Sequence, residues 1–87
     1  MKKKYELLKN DTIDVNGHTL YRIKALKSFS DVKEGDLGGY IEKESNLSHN
    51  DNCWIYGDAK VYGDAKVYDN AVVMDDSSVY GHARVFG

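Results

Sequence analysis

Proline is absent from the 87 residues, and cysteine occurs only once, at Cys53. A single cysteine cannot form an intrachain disulfide, which favours a reducing cytoplasm as the location. Without proline, the turns must be made by the eight glycines and by Asn and Asp, which tolerate positive φ. No apolar run reaches the length of a signal peptide or a membrane span, so we expect a soluble cytoplasmic protein without membrane contact.

An excess of one charge is also missing. Twelve Lys and Arg stand against fourteen Asp and Glu, and the resulting net charge of −2 indicates no nucleic-acid binding. Lys2, Lys3 and Lys4 form a small basic cluster at the start of the chain. We expect this cluster to be a solvated terminus.

What the sequence does contain is a six-residue repeat. The stretch GDAKVY at 57–62 recurs unchanged at 63–68, and units of six follow one another from residue 45 to residue 86. Most units begin with Gly, Asp or Asn, carry a small third residue and have a β-branched fifth residue. The fifth positions predict an inward, buried column formed by Ile55, Val61, Val67, Val73, Val79 and Val85.

A period of six residues predicts very short strands joined by corners. In Lys60-Val61-Tyr62 the central Val61 points inward and its neighbours point outward, and Gly63-Asp64 then supplies the corner. Three strands and three corners close a triangular coil of about 18 residues, which stacks on the next coil at roughly 4.8 Å. The predicted fold is therefore an all-β parallel solenoid, in which each coil buries its inward layer against its neighbours.

These repeats resemble the hexapeptide-repeat proteins of left-handed β-helix fold, and the left-handed sense is implied by that resemblance. The stretch GDLGGYIEKESNLSHNDNCWIYGDAKVYGDA is also similar to a family of short phage and prophage repeat proteins. In that family a junction of GDLGG, an aromatic residue, IE and NCW links a small N-terminal β segment to the repeats. We therefore expect a β-hairpin segment with its connector at 1–38 and a hexapeptide-repeat β-solenoid at 39–87.

The N-terminal part predicts the hairpin itself. Asn16-Gly17 suits a type I′ turn, which pairs Val15 with His18 and Ile13 with Leu20. An isolated hairpin is marginally stable in water, so it should pack onto the first coil or onto another chain.

Residues 30–39, SDVKEGDLGG, are predicted to connect the hairpin to the repeats. The spacing of Gly35, Gly38 and Gly39 fits no phosphate-binding loop. We expect these glycines to serve ordinary turns.

The histidines, the cysteine and the corner acids are the candidate chemical groups. The resemblance to hexapeptide-repeat acyltransferases, which use a His at a subunit interface as base, draws attention to His49 and His82. Those enzymes also need a channel for acyl-coenzyme A, so we predict no catalytic residue and no cofactor, and His49 as a cap. The spacing of Asp58 and Asp76 matches no calcium repeat, so no metal site is predicted. Cys53 is expected to be a buried, inert thiol.

The outward positions predict surfaces for binding. One face of the coil carries four uncharged residues, which should form one interaction surface, either between subunits or beneath the hairpin. Its members are Trp54, Tyr56, Val72 and Met74. The other two faces should provide a secondary surface of aromatic residues, Tyr62 with Tyr80 and Tyr68 with Phe86.

These features together predict a non-enzymatic binding or scaffold protein. We expect a homo-oligomer, either a dimer or a trimer, that binds a host or phage protein in the host cytoplasm. The phage resemblance suggests an inhibitor of a host defence system, similar in role to an anti-CRISPR protein. The alternatives are a minimal hexapeptide-repeat acyltransferase and a structural solenoid module that assembles with itself.

Overall fold

The computed structural model describes residues 3–87. Within this range the chain is all-β, with mixed parallel and antiparallel pairing and one short 3-10 helix, Glu44–Asn46. Its strands are β1 Tyr5–Val15, β2 His18–Ala25, β3 Leu37–Ile41, β4 Trp54–Ile55, β5 Lys60–Val61, β6 Lys66–Val67, β7 Val72–Val73, β8 Ser78–Val79 and β9 Arg84–Val85.

The hairpin prediction is confirmed in register and in turn type. β1 and β2 pair antiparallel with Val15 opposite His18 and Ile13 opposite Leu20. Asn16 and Gly17 have φ of 50° and 85°, as a type I′ turn requires at both central positions. Between Leu8 and Thr12 the register shifts, and Asp11 in this irregular stretch lies 3.2 Å from the Arg22 guanidinium.

β3 joins the hairpin to the repeats. It pairs antiparallel with β2 on one side and parallel with β5 on the other, so one sheet runs from the hairpin into the repeat segment. The predicted connector at 30–39 is therefore wrong at its end, because Gly38 and Gly39 are buried strand residues. A Cβ on Gly38 would lie 2.6 Å from the Ile55 carbonyl oxygen, so close approach of two backbones requires glycine here.

The repeat segment forms three sets of parallel pairs. β4 pairs with β7, β5 with β8 and β6 with β9, and in each pair the partner residue lies eighteen positions later in the chain, the separation that also joins Asn52 to Asn70. Gly57, Gly63 and Gly81 occupy corners of the repeat with positive φ. Asp69 and Asp75 adopt the same conformation at the corners that lack glycine.

The core lies between these three sets of strands. Ile55, Val61, Val67 and Val73 are buried, and Val79 in β8 and Val85 in β9 are half-buried. The small third positions of the repeat fill the corners, and Cys53, Ala59, Ala65 and Ala71 are all buried. A second, smaller cluster under the hairpin contains Leu20, Tyr40 and Tyr62.

The start of the described chain is held firmly against the repeats. Lys3 is exposed, but Lys4 is completely buried, so the prediction of a solvated terminus is wrong for Lys4. The Lys4 ammonium lies 2.7 Å from the Cys53 carbonyl oxygen and 4.7 Å from the centre of the Phe29 ring. Lys2, the third member of the basic cluster, lies outside the described residues. No helix among residues 3–87 is long and apolar enough to span a membrane.

Candidate functional site

The surface predicted from Trp54, Tyr56, Val72 and Met74 is divided in two. Trp54 is only 1% exposed, since Phe29 lies against its ring at a centroid distance of 5.3 Å and Tyr5 at 6.3 Å. The expectation that Trp54 is available to a partner is therefore wrong within this chain. The N-terminal segment therefore covers the part of this face formed by β4.

The part of the same face formed by β7 remains open. Val72 is 44% exposed and Met74 46%, and both line a groove of about 780 Å³. We call this the acidic groove, because its rim carries four carboxylates, those of Asp31, Asp58, Asp75 and Asp76.

Tyr56 closes the lower edge of the acidic groove. Its hydroxyl donates a hydrogen bond of 2.6 Å to the Asp31 carboxylate. Burial and this carboxylate raise the pKa of Tyr56 to about 12. The bond fixes the connector loop against the repeat segment and keeps a carboxylate at the edge of an apolar floor.

The secondary aromatic surface is also divided between buried and exposed rings. Tyr62 and Tyr80 stack at 5.4 Å, but Tyr62 is buried under the hairpin whereas Tyr80 is 59% exposed. Tyr68 and Phe86 stack at 5.2 Å, and Phe86 is 61% exposed. Exposed Lys66 and Arg84 precede these rings by two residues, and the four side chains form what we call the basic ladder.

A histidine–glutamate pair, His18 with Glu42, lies beside the hairpin turn. Nδ1 of His18 lies 2.9 Å from Oε2 of Glu42. The other carboxylate oxygen of Glu42 accepts a hydrogen bond from the Gly63 backbone N–H, also at 2.9 Å. Both oxygens of the carboxylate are therefore held, and the hydrogen bond from His18 holds the pKa of Glu42 below its ordinary value.

The sequence places this pair through two separate elements. His18 begins β2 directly after the type I′ turn, and Glu42 follows the last residue of β3. Buried Asn46 holds Glu42 in place, because its Oδ1 accepts the Glu42 backbone N–H at 3.1 Å. Because β2 and β3 are neighbours in one sheet, the two side chains meet at the same edge of the hairpin.

His18 faces a cavity of about 390 Å³ between the hairpin and the repeats. The walls include the stacked Tyr62 and Tyr80, together with Asp64 and His82. Nδ1 of His82 is 3.7 Å from the Asp64 carboxylate, beyond hydrogen-bond distance, and the His82 side chain is almost fully exposed. Of the two histidines at this cavity, only His18 is held by a carboxylate in hydrogen-bond contact.

His49 binds the start of the described chain. Its Nδ1 accepts the Lys4 backbone N–H at 3.0 Å, its Nε2 lies 2.9 Å from Glu44, and its ring stacks on Tyr5 at 4.1 Å. The Lys3 ammonium and then His49 hold the pKa of Glu44 below its ordinary value. Both ring nitrogens of His49 have partners, which leaves neither to act as a base.

The remaining candidate groups have structural contacts. Cys53 is fully buried, and burial raises the pKa of its thiol. At the corners, Asp58 lies 3.2 Å from the Arg22 guanidinium, and Asp64 lies at the same distance from the Lys43 ammonium. Among residues 3–87, no three metal-ligating side chains cluster where they could hold an ion.

Sequence reasoning missed the residues that organise this part of the molecule. Glu42 was treated only as part of a junction motif, His18 as a residue after a turn, and Asn46 as part of the first repeat unit. The β2–β3 pairing that unites them depends on Gly38 and Gly39, which the sequence suggested were turn residues. A strand interpretation of Leu37–Ile41 would have placed His18 and Glu42 side by side.

Comparison with known proteins gives a partial similarity to an acetyltransferase. The chain is 40% identical over 42 residues to the uncharacterized acetyltransferase YdcK of Escherichia coli strain K12. The match covers 48% of this chain and 13% of YdcK, so the chain spans a small part of that protein. No protein-family model matches, and neither a phage origin nor the predicted junction motif gains support. The similarity to an acetyltransferase contradicts our expectation that the chain is not an enzyme.

Proposed function

We propose that residues 39–87 form a short left-handed β-helix and that, with the hairpin, they carry an acyl-transfer site based on His18 and Glu42. Three parallel sets of strands with an eighteen-residue repeat support the β-helix. Its left-handed sense rests on the resemblance to hexapeptide-repeat proteins. The similarity to an acetyltransferase over 42 residues supports the type of reaction.

The observation that carries the catalytic part is the geometry of His18 at its cavity. Nδ1–H of His18 donates to a carboxylate that is itself fixed by the Gly63 N–H. This leaves Nε2, which has no hydrogen-bond partner among residues 3–87, to accept a proton. A histidine oriented in this way by a carboxylate is the standard arrangement of a general base.

The reaction follows from this arrangement. His18 Nε2 takes a proton from an amine or hydroxyl acceptor as the acceptor attacks the thioester carbonyl of an acyl-coenzyme A. The C–S bond breaks, and the departing thiolate receives the proton from the His18 imidazolium. Glu42 faces the positive charge that the ring acquires during the transfer.

The cavity has a size suited to the reacting groups. A volume of about 390 Å³ accommodates a small acceptor and the acyl end of the donor. The stacked Tyr62 and Tyr80 give it an apolar wall, and exposed Tyr80 lies where the rest of the donor would leave the cavity.

Release of free coenzyme A from acetyl-coenzyme A tests the proposal, with a panel of small amines and hydroxyl compounds as acceptors. We expect acceptor-dependent release by the wild-type chain. His18→Gln should lower the rate by about 100-fold or more, and Glu42→Gln should also lower it, because general-base contributions are about 10²–10⁴-fold. Circular dichroism would show whether each variant is folded.

His82→Gln is the matched control, since His82 lines the same cavity without a hydrogen-bonded carboxylate. It should keep its rate within a few-fold of the wild type. No acceptor-dependent release with any acceptor would overturn the acyl-transfer proposal. Loss of activity in folded His82→Gln but not in His18→Gln would overturn the assignment of the base.

One further observation favours a second function, that of a binding module. Val72 and Met74 are exposed side by side on the acidic groove, although a small protein gains by burying such residues. A partner that covers them would gain apolar contact and would meet four carboxylates around the rim.

A further inference from the structure

The acidic groove has the features of one side of a protein–protein interface. Its floor is formed by exposed Val72 and Met74, and its rim carries Asp75 and Asp76. Neither of these two carboxylates has an ion-pair partner among residues 3–87. A partner suited to this groove presents an apolar or aromatic group with cationic groups beside it.

The basic ladder on another face of the same chain has this chemistry. Phe86 is 61% exposed and stacks on Tyr68, so it presents a fixed aromatic surface. Lys66 and Arg84 lie in register on adjacent strands, and both are exposed. Within the described part of the chain, neither cation has an ion-pair partner.

We infer that the occupant of the acidic groove is a second copy of this chain, which inserts its basic ladder. Phe86 of one copy then packs against Met74 of the next, an aromatic–thioether contact. Arg84 and Lys66 meet Asp75 and Asp76, so unpaired charges on both surfaces gain partners of opposite sign. Apolar contact and charge complementarity both favour this pairing.

The contact joins two different surfaces and is therefore heterologous. The groove belongs to the β4–β7 pair and the ladder to the β6–β9 pair, so each copy can donate its ladder and accept another at once. Such contacts close into a ring or continue as an open chain. A symmetric contact of two acidic grooves would instead bring like charges together.

This inference rests on the binding role proposed for the acidic groove and is independent of acyl transfer. Light scattering during size-exclusion chromatography measures the assembled mass. The wild-type chain should exceed its monomer mass of 9.8 kDa. Asp76→Arg and Arg84→Asp should each weaken association at least tenfold and give monomers. The double variant should regain the wild-type mass, because the two charges are exchanged across the contact.

Mixing the two single variants gives a sharper result. Asp76→Arg keeps an intact ladder and Arg84→Asp keeps an intact groove, and the altered groove of the first matches the altered ladder of the second, so an equimolar mixture should associate although neither variant does so alone. Glu34→Arg and Lys33→Asp make the same charge changes at exposed positions outside both surfaces and should leave the wild-type mass unchanged. The milder Asp76→Asn and Arg84→Gln should also weaken association if a charge reversal prevents folding.

A wild-type chain that stays monomeric at millimolar concentration would overturn the inference, and the groove would then belong to a different partner. A folded Arg84→Asp variant with unchanged mass would also overturn the inference, and a contact between two acidic grooves would then remain as the explanation. A folded double variant that remains monomeric would also overturn it. The His18→Gln variant should assemble normally, so loss of acyl transfer and loss of assembly are separate results.

Discussion

Asn46→Ala should destabilise the protein severely, because one buried side chain joins the end of the hairpin sheet to a corner of the repeat segment. Asn46 has no exposed surface. Its Oδ1 accepts the backbone N–H groups of Glu42 at 3.1 Å and of Lys43 at 2.9 Å. Its Nδ2 donates to the carbonyl oxygens of Ala65 at 2.8 Å and of Gly63 at 3.2 Å.

Alanine would leave several of these backbone groups without a partner in a buried place. The Glu42 N–H keeps a second acceptor, the Val61 carbonyl oxygen at 3.3 Å. The other three groups, the Lys43 N–H and the carbonyl oxygens of Gly63 and Ala65, lose the hydrogen bond that Asn46 makes to them. An unsatisfied buried group costs about 1–3 kcal/mol, and partial hydration of the vacated space reduces the total. We therefore expect the free energy of unfolding to fall by about 3–5 kcal/mol. For a domain of this size, the Tm should fall by about 12 °C or more.

Denaturant unfolding followed by Trp54 fluorescence and circular dichroism measures this change. Asn70→Ala is the matched control, since Asn70 is exposed and its Oδ1 makes one long hydrogen bond of 3.3 Å to the Asn52 N–H. It should cost about 0.5 kcal/mol or less, as is usual for surface changes. A free energy of unfolding within 1 kcal/mol of the wild type for Asn46→Ala would refute the reasoning.

Three further changes test the core, the junction and the ion pairs. Val67→Asp buries an unpaired charge and should cost about 3–5 kcal/mol, whereas Val72→Asp on the exposed floor should cost far less; equal melting temperatures would contradict the inward assignment. Gly38→Ala should disrupt β3, measured as lost thermal stability, because its Cβ meets backbone that cannot move aside. The lowered pKa values of Glu42 and Glu44 mean that their stabilisation is complete above about pH 4.5 and disappears as pH falls through the folded-state values. An acid unfolding curve unchanged by Glu42→Gln would exclude that contribution.

The sequence was most informative where local chemistry alone determines conformation. A six-residue period with small corner residues leads directly to short parallel strands. The same period predicts the i to i+18 pairing that is observed for Trp54 with Val72. The Asn16-Gly17 turn is equally local, because two successive positive φ values favour those residues. Both predictions depend on residues that are neighbours in the chain.

Prediction failed where distant segments meet. Lys4 was assigned to solvent because a charged residue near a terminus usually lies there, but its ammonium reaches the backbone carbonyls beside Cys53. Trp54 was assigned to an outward phase, and no local pattern shows that Phe29, which follows β2, will cover it. Gly38 and Gly39 allow β3 to lie close to the backbone of Ile55 and Ala59, and spacing along the chain cannot reveal this contact.

The hairpin explains why a regular repeat presents three different surfaces. It extends the sheet of the β5–β8 set, and Tyr5 at the start of β1 and Phe29 after β2 cover Trp54 on the β4–β7 set. The β7 side of the β4–β7 set and the β6–β9 set stay open, and these carry the acidic groove and the basic ladder.

The proposed base depends on the same arrangement, since His18 comes from the hairpin and the Gly63 N–H that orients Glu42 comes from a repeat corner. Neither part contains the site alone. Gly38→Ala therefore offers a test that links fold to chemistry, because a shifted β3 would carry Glu42 away from His18. We expect it to abolish coenzyme A release while His82→Gln does not. Retained release by a variant whose β3 pairing is lost, measured by amide exchange, would show that the base lies elsewhere.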